Sequence, residues 1–96
     1  MLYAPGLKDL EMIRTVVSSV SKPVNVVMTH ADPSITRDQL AETGVKRVSI
    51  GGSGSRFALN AFMGAAREMA ERGTFTFVGD NPPWSQLLEA FAKGQR

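Results

Sequence analysis

Gly51-Gly52-Ser53-Gly54-Ser55 stands between an apolar run, Val45 to Ile50, and the longest helical pattern in the chain. These residue types suit an anion. Gly51, Gly52 and Gly54 carry no side chains to hold backbone N–H groups away from a phosphate or carboxylate. Ser55 is placed to cap the helix that follows, whose positive dipole end points the same way. A strand that turns sharply into a helix needs the same residues with no ligand present, so the loop leaves an anion site and a plain turn both open. It is not a dinucleotide fingerprint. Phe57 stands where a third glycine belongs, and no acid follows in a strand about twenty residues on.

Three other positions could do chemistry. Thr29 closes the apolar run Val24-Asn25-Val26-Val27-Met28-Thr29, at the strand end where parallel sheets and barrels keep their ligands. Alternation puts Asn25, Val27 and Thr29 on one face and Val24, Val26 and Met28 on the other. A buried amide such as Asn25 needs partners, and hydrogen bonds to neighbouring strands are the expected role. His30, the one histidine, has Asp32 two residues later, the raw material of a metal site or a general base. With no second ligand cluster, a solvated loop histidine is the expected outcome.

The elements that must position these residues follow from periodicity. Met1 to Ala4 reads as a strand ended by Pro5-Gly6. Leu7 to Val20 reads as an amphipathic helix with Leu10, Ile13, Val17 and Val20 on one face. Val24 to Thr29 is nearly continuous in apolar residues, as a parallel strand covered on both faces should be. Thr36 and Gln39 fit a capping box, with Ile35 and Leu40 as its hydrophobic staple, so a short helix should start near Arg37 and end at Thr43-Gly44. Strand Val45 to Ile50 leads to a helix from about Ser55 to Arg72, striped with Leu59, Phe62, Ala66 and Met69 and closed by Gly73. Thr74 to Val78 alternates like a short exposed strand or arm. Pro83 to Lys93 then reads as a last helix with Trp84, Leu87, Leu88 and Phe91 on its apolar face.

The expected class is therefore α/β: three strand-helix units in parallel, then an arm and a helix. Residues 1–79 make the first part and 80–96 a helical tail. Three such units cannot close a barrel, which takes eight. They are either a small open sheet or about three eighths of something larger, and a start directly on a strand with no lead-in favours the second.

Composition narrows the function classes. The chain has 96 residues, 43% apolar and 21% charged, with a net charge of +2. That is one small globular domain with a thin core. Its eleven Lys and Arg and nine acids are spread along the chain, so the basic stripe of a nucleic-acid binder is absent. There is no cysteine, hence no disulfide framework, thiolate metal site or cysteine nucleophile, and a cytoplasmic location is expected. No apolar run reaches the length of a signal peptide's flanked core or a membrane span.

Leu2-Tyr3-Ala4-Pro5-Gly6, Lys22-Pro23-Val24-Asn25-Val26, the stretch Leu40 to Gly52, and Ala65-Ala66-Arg67-Glu68 with Gly73-Thr74-Phe75 carry a resemblance. In order and spacing they resemble the C-terminal third of the isocitrate lyase and phosphoenolpyruvate mutase superfamily. The resemblance implies strands six to eight of a (β/α)8 barrel that makes or breaks C–C or P–C bonds beside a carboxylate, with Mg2+ holding an α-keto acid or enolate. Thr29 matches a substrate-contacting threonine at the end of strand seven, and Ile50 and Gly52 match positions lining the pocket at strand eight. The metal-binding acids and the mobile loop of the family come from earlier strands, so the chain alone should be inactive. The eighth helix commonly swaps between subunits, which implies a homo-oligomer or the remainder of the barrel as partner. Gly6 replaces the glutamate of methylisocitrate lyase-like members, Val27 their asparagine and His30 an acid. Those departures point away from a tricarboxylate lyase and toward the phosphonomutase-like or keto-acid-cleaving branch, with a small carboxylate or phosphonate as the substrate the resemblance implies.

Two other classes stand beside this one. A phosphate- or nucleotide-binding module would use Gly51, Ser53, Gly54 and Ser55 as its anion site. A non-enzymatic assembly piece would use Phe75, Phe77, Trp84 and Phe91 at an interface.

Overall fold

In a computed structural model, which describes residues 1–94, the chain falls into two compact units, Met1–Ala58 and Leu59–Arg96. Residues 95 and 96 of the expected tail lie outside the described residues.

The first unit is a three-stranded parallel sheet, β1 (Leu2–Tyr3), β2 (Val24–Val27) and β3 (Arg47–Ser49), in the order β1-β2-β3. Tyr3 pairs with Asn25, Asn25 with Arg47, and Val27 with Ser49. Two helices form the crossovers, α1 (Leu10–Ser18) and α2 (Arg37–Glu42). Helix α1 starts three residues later than its apolar periodicity implies. Asp9 accepts a hydrogen bond from the Met12 amide at 2.8 Å and caps it there. Leu7 stays outside the helix and is buried in the core. Val20 lies past the helix end and is exposed, and its place on the expected stripe passes to Val16, which is partly buried. Thr36 and Gln39 form the capping box: the Thr36 hydroxyl accepts from the Gln39 amide, and Gln39 Oε1 accepts from the Thr36 amide at 2.8 Å. Gly44, at a φ of 92°, turns the chain into β3.

The core lies on one side of the sheet. Val24 and Val26 point into it from β2 and meet Leu7, Ile13, Leu40 and Val45, with Ile35 packed against the group. Burying a side chain such as Val26 contributes about 1.5–3 kcal/mol, and Ile13 and Val26 are wholly buried. The opposite face carries Tyr3, Asn25, Arg47 and Ser49, which line an open concavity. One face is thus apolar and helix-covered, the other polar.

Helix α3 (Ser53–Arg67) widens into a single π-helical stretch, Glu68–Arg72, that ends at Gly73 in the left-handed conformation, φ 62°. Thr74 to Val78 does not form a strand. Thr76–Asp80 is a 3-10 turn, because the Thr76 amide donates to the Glu68 carboxylate and no neighbouring strand takes up the ladder. Helix α4 (Trp84–Gly94) follows. No helix of the described residues is long and apolar enough to cross a membrane.

Candidate functional site

The C-terminal ends of β2 and β3 are tied together by one hydroxyl. Thr29, half-buried just past β2, donates from Oγ1 to the Ile50 carbonyl at 2.6 Å, and Ser53 Oγ donates to Thr29 Oγ1 at 3.3 Å. The Ile50 carbonyl also accepts from the Ser53 amide at 3.0 Å, which starts α3. Between them Gly51 takes a φ of 53°. Its backbone lies so close to Thr29 that a Cβ would stand 2.8 Å from Oγ1, well inside contact distance. Glycine is required there on two counts, left-handed backbone and close approach.

The residues singled out from the sequence are therefore neighbours. Thr29, Ile50, Gly51 and Ser53 form one hydrogen-bonded corner, and Gly52 and Gly54 are exposed beside it. Ser55 is not the helix cap. Because Gly51 turns the chain early, α3 begins at Ser53, and Ser55 sits inside the first turn with Oγ donating to the Gly52 carbonyl at 2.9 Å. Among the described residues, no protein group accepts from the Gly54 or Ser55 amide, as expected of amides at a helix start. Those two N–H groups are donors free for a ligand, whereas the Ser53 and Ser55 hydroxyls already donate within the corner.

His30 and Asp32 do not form a pair. Asp32 turns back on its own loop, where Oδ1 accepts from the Ser34 amide at 2.8 Å and the Ser34 hydroxyl at 2.7 Å. The amide bond first, and the hydroxyl bond after it, hold the Asp32 carboxyl below the ordinary carboxylate range. His30 is exposed. No group of three or more His, Cys, Asp or Glu able to hold a metal occurs among the described residues.

Asn25 plays the role expected of it, hydrogen bonding to a neighbouring strand on the open face of the sheet, but its partners are not named by the sequence. Asn25, 5% exposed, donates from Nδ2 to Ser49 Oγ at 3.0 Å and accepts from Arg47 Nη1 at 3.3 Å. The amide is satisfied by its neighbouring strand. Alternation alone puts Arg47 and Ser49 on one face, but matching them to Asn25 needs the strand register.

With this geometry the chain can be set beside known proteins. A family model described as phosphoenolpyruvate phosphomutase matches residues 1–70. A solved structure of a protein from Burkholderia cenocepacia J2315, assigned as a lyase/mutase, superposes with a TM-score of 0.84 at 47% sequence identity, over 95% of this chain and 33% of that one. The chain thus spans about a third of that protein's length. No curated protein matches it.

Proposed function

The chain belongs to the phosphoenolpyruvate phosphomutase family, and from that premise we propose that its three parallel units are the last three of a (β/α)8 lyase- or mutase-like enzyme. The enzyme acts on a C–C or P–C bond of a small α-keto or carboxy acid. The observation that carries this is the corner at the strand tips, where Thr29, Ile50, Gly51 and Ser53 converge from β2 and β3. In parallel α/β folds ligands bind at that end of the strands.

The chain's own groups would contribute binding and shape. Thr29 has committed its proton to Ile50, so it meets a substrate with its remaining oxygen lone pair and its methyl group. Gly51 and Gly52 keep the floor low. The Gly54 and Ser55 amides, at the positive end of the 15-residue helix α3, suit a carboxylate or phosphonate oxygen. Magnesium, which the family implies, takes carboxylate oxygens. The strand tips of this chain offer hydroxyls, amides and one doubly hydrogen-bonded carbonyl, and they do not fit it. A chain that lacks those ligands is inactive alone.

The exposed Phe62 and Met63 on α3, with Trp84, Leu88 and Phe91 on α4, support association with a second subunit. A chimera tests the proposal: this chain replaces the matching third of the Burkholderia lyase/mutase, whose 47% identity makes the exchange reasonable. The chimera should fold and act on phosphoenolpyruvate or on whichever of a panel of small α-keto acids the parent accepts, with Mg2+ present, whereas the 96-residue chain alone should not. A folded chimera with no turnover, or turnover by the chain alone, would overturn the reading.

A further inference from the structure

The one buried residue among the described residues from Leu59 onward is charged. Glu68 is 7% exposed, while Ala65 and Phe77 are half-buried and the other described residues from Leu59 on are exposed. Phe75, Val78, Trp84, Leu88 and Phe91 are each more than half exposed. No apolar core holds residues 73–94 in place.

A single carboxylate oxygen does. Glu68 Oε1 accepts from Thr74 Oγ1 at 2.8 Å, from Thr76 Oγ1 at 2.7 Å and from the Thr76 amide. These bonds reach across the π-helical stretch and the left-handed Gly73 to close a loop of about nine residues, short enough for a small closure cost. Hydrogen bonds to an ionised acceptor are about twice as strong as neutral ones. We infer that Glu68 is a latch: it fixes the segment after Gly73 on the end of α3, and that segment is a strap hinged at Gly73 rather than a packed part of the fold. The latch sets the direction in which α4 presents Trp84, Leu88 and Phe91. Its release frees the strap without disturbing the sheet, since none of its donors comes from the first unit.

Amide hydrogen exchange on the full chain tests this. In Glu68→Ala the Thr76 amide should exchange roughly tenfold faster or more, by the cost of losing a hydrogen bond to a charged group. The Val26 and Leu40 amides should keep their native rates. The double variant Thr74→Val/Thr76→Val removes both hydroxyl donors and leaves the carboxylate, and it should raise the same rate. That second variant decides the matter if Glu68→Ala fails to fold. A rise of less than about threefold at Thr76, in whichever variant retains the Val26 and Leu40 protection, overturns the latch.

Discussion

Gly51→Ala is the sharpest probe of the strand-tip corner, because two independent penalties meet in one methyl group. The backbone at Gly51 has a φ of 53°, which costs an L-residue about 1–2 kcal/mol. The new Cβ would also stand 2.8 Å from Thr29 Oγ1. That oxygen cannot step aside freely, because it donates to the Ile50 carbonyl at 2.6 Å and accepts from Ser53. Moving it gives up a neutral hydrogen bond, about 0.5–1.5 kcal/mol, so the substitution should cost about 1.5–3.5 kcal/mol in all. The two terms separate in a Thr29→Ala background, where the clashing oxygen is gone and Val27, at 3.6 Å, is in ordinary contact. There Gly51→Ala should cost only the backbone term, about 1–2 kcal/mol. Urea unfolding of the four proteins gives the cycle, with unchanged m-values as the sign that only stability moved. Additivity within about 0.5 kcal/mol would mean that Thr29 does not press on Gly51, and the corner as described would be wrong.

Ile13→Ala removes the wholly buried side chain that α1 contributes to the core and should cost about 2–5 kcal/mol, read as the drop in urea midpoint; a loss below about 1 kcal/mol would place Ile13 outside a packed core. Glu68 gives a pH signature. Its carboxyl is lowered from 4.5 to about 2, chiefly by the Thr76 hydroxyl, with the Thr74 hydroxyl and the Thr76 and Phe77 amides adding to the effect against a desolvation that opposes it. A folded-state pKa below the unfolded one means that the stabilisation is complete above the unfolded value and drains away as pH falls from there toward about 2. Arg67, Glu71 and Arg72 share the groove with it. Comparison with Glu68→Gln isolates this one group: the stability difference should be constant above about pH 5.5 and shrink below it, and a difference that stays level down to pH 2.5 would refute the assignment.

What the sequence made legible was local or periodic. Thr36 and Gln39 announce their capping box because both halves lie within four residues, and Val24 and Val26 announce the core through period two. The parallel order followed from connections long enough to cross over. The errors came where a distant partner decides. Ser55 looked like a cap by spacing, but the helix start is set two residues earlier by Ile50, whose carbonyl the Ser53 amide and Thr29 hydroxyl both engage. Thr74 to Val78 alternates as a strand does, yet alternation makes a strand only beside another edge, and Glu68 claimed Thr76 first. The bonding of Asn25 to a neighbouring strand was legible, but its partners Arg47 and Ser49 were hidden for a similar reason, since strand register is not written in either strand alone.

The sheet itself carries the last step. Parallel strands occur almost only with both faces covered, and here α1 and α2 cover one face while Asn25, Arg47 and Ser49 occupy the other with their own hydrogen bonds. β1 and β3 are both edges, each with one side of its backbone unpaired, which natural sheets cover or close. Five further strands between β3 and β1 would remove both edges at once and turn the polar face inward, where barrels pack their side chains in layers. The same closure would bring other strand ends round the Thr29 corner. The open edges and the uncovered polar face are thus two aspects of one geometry.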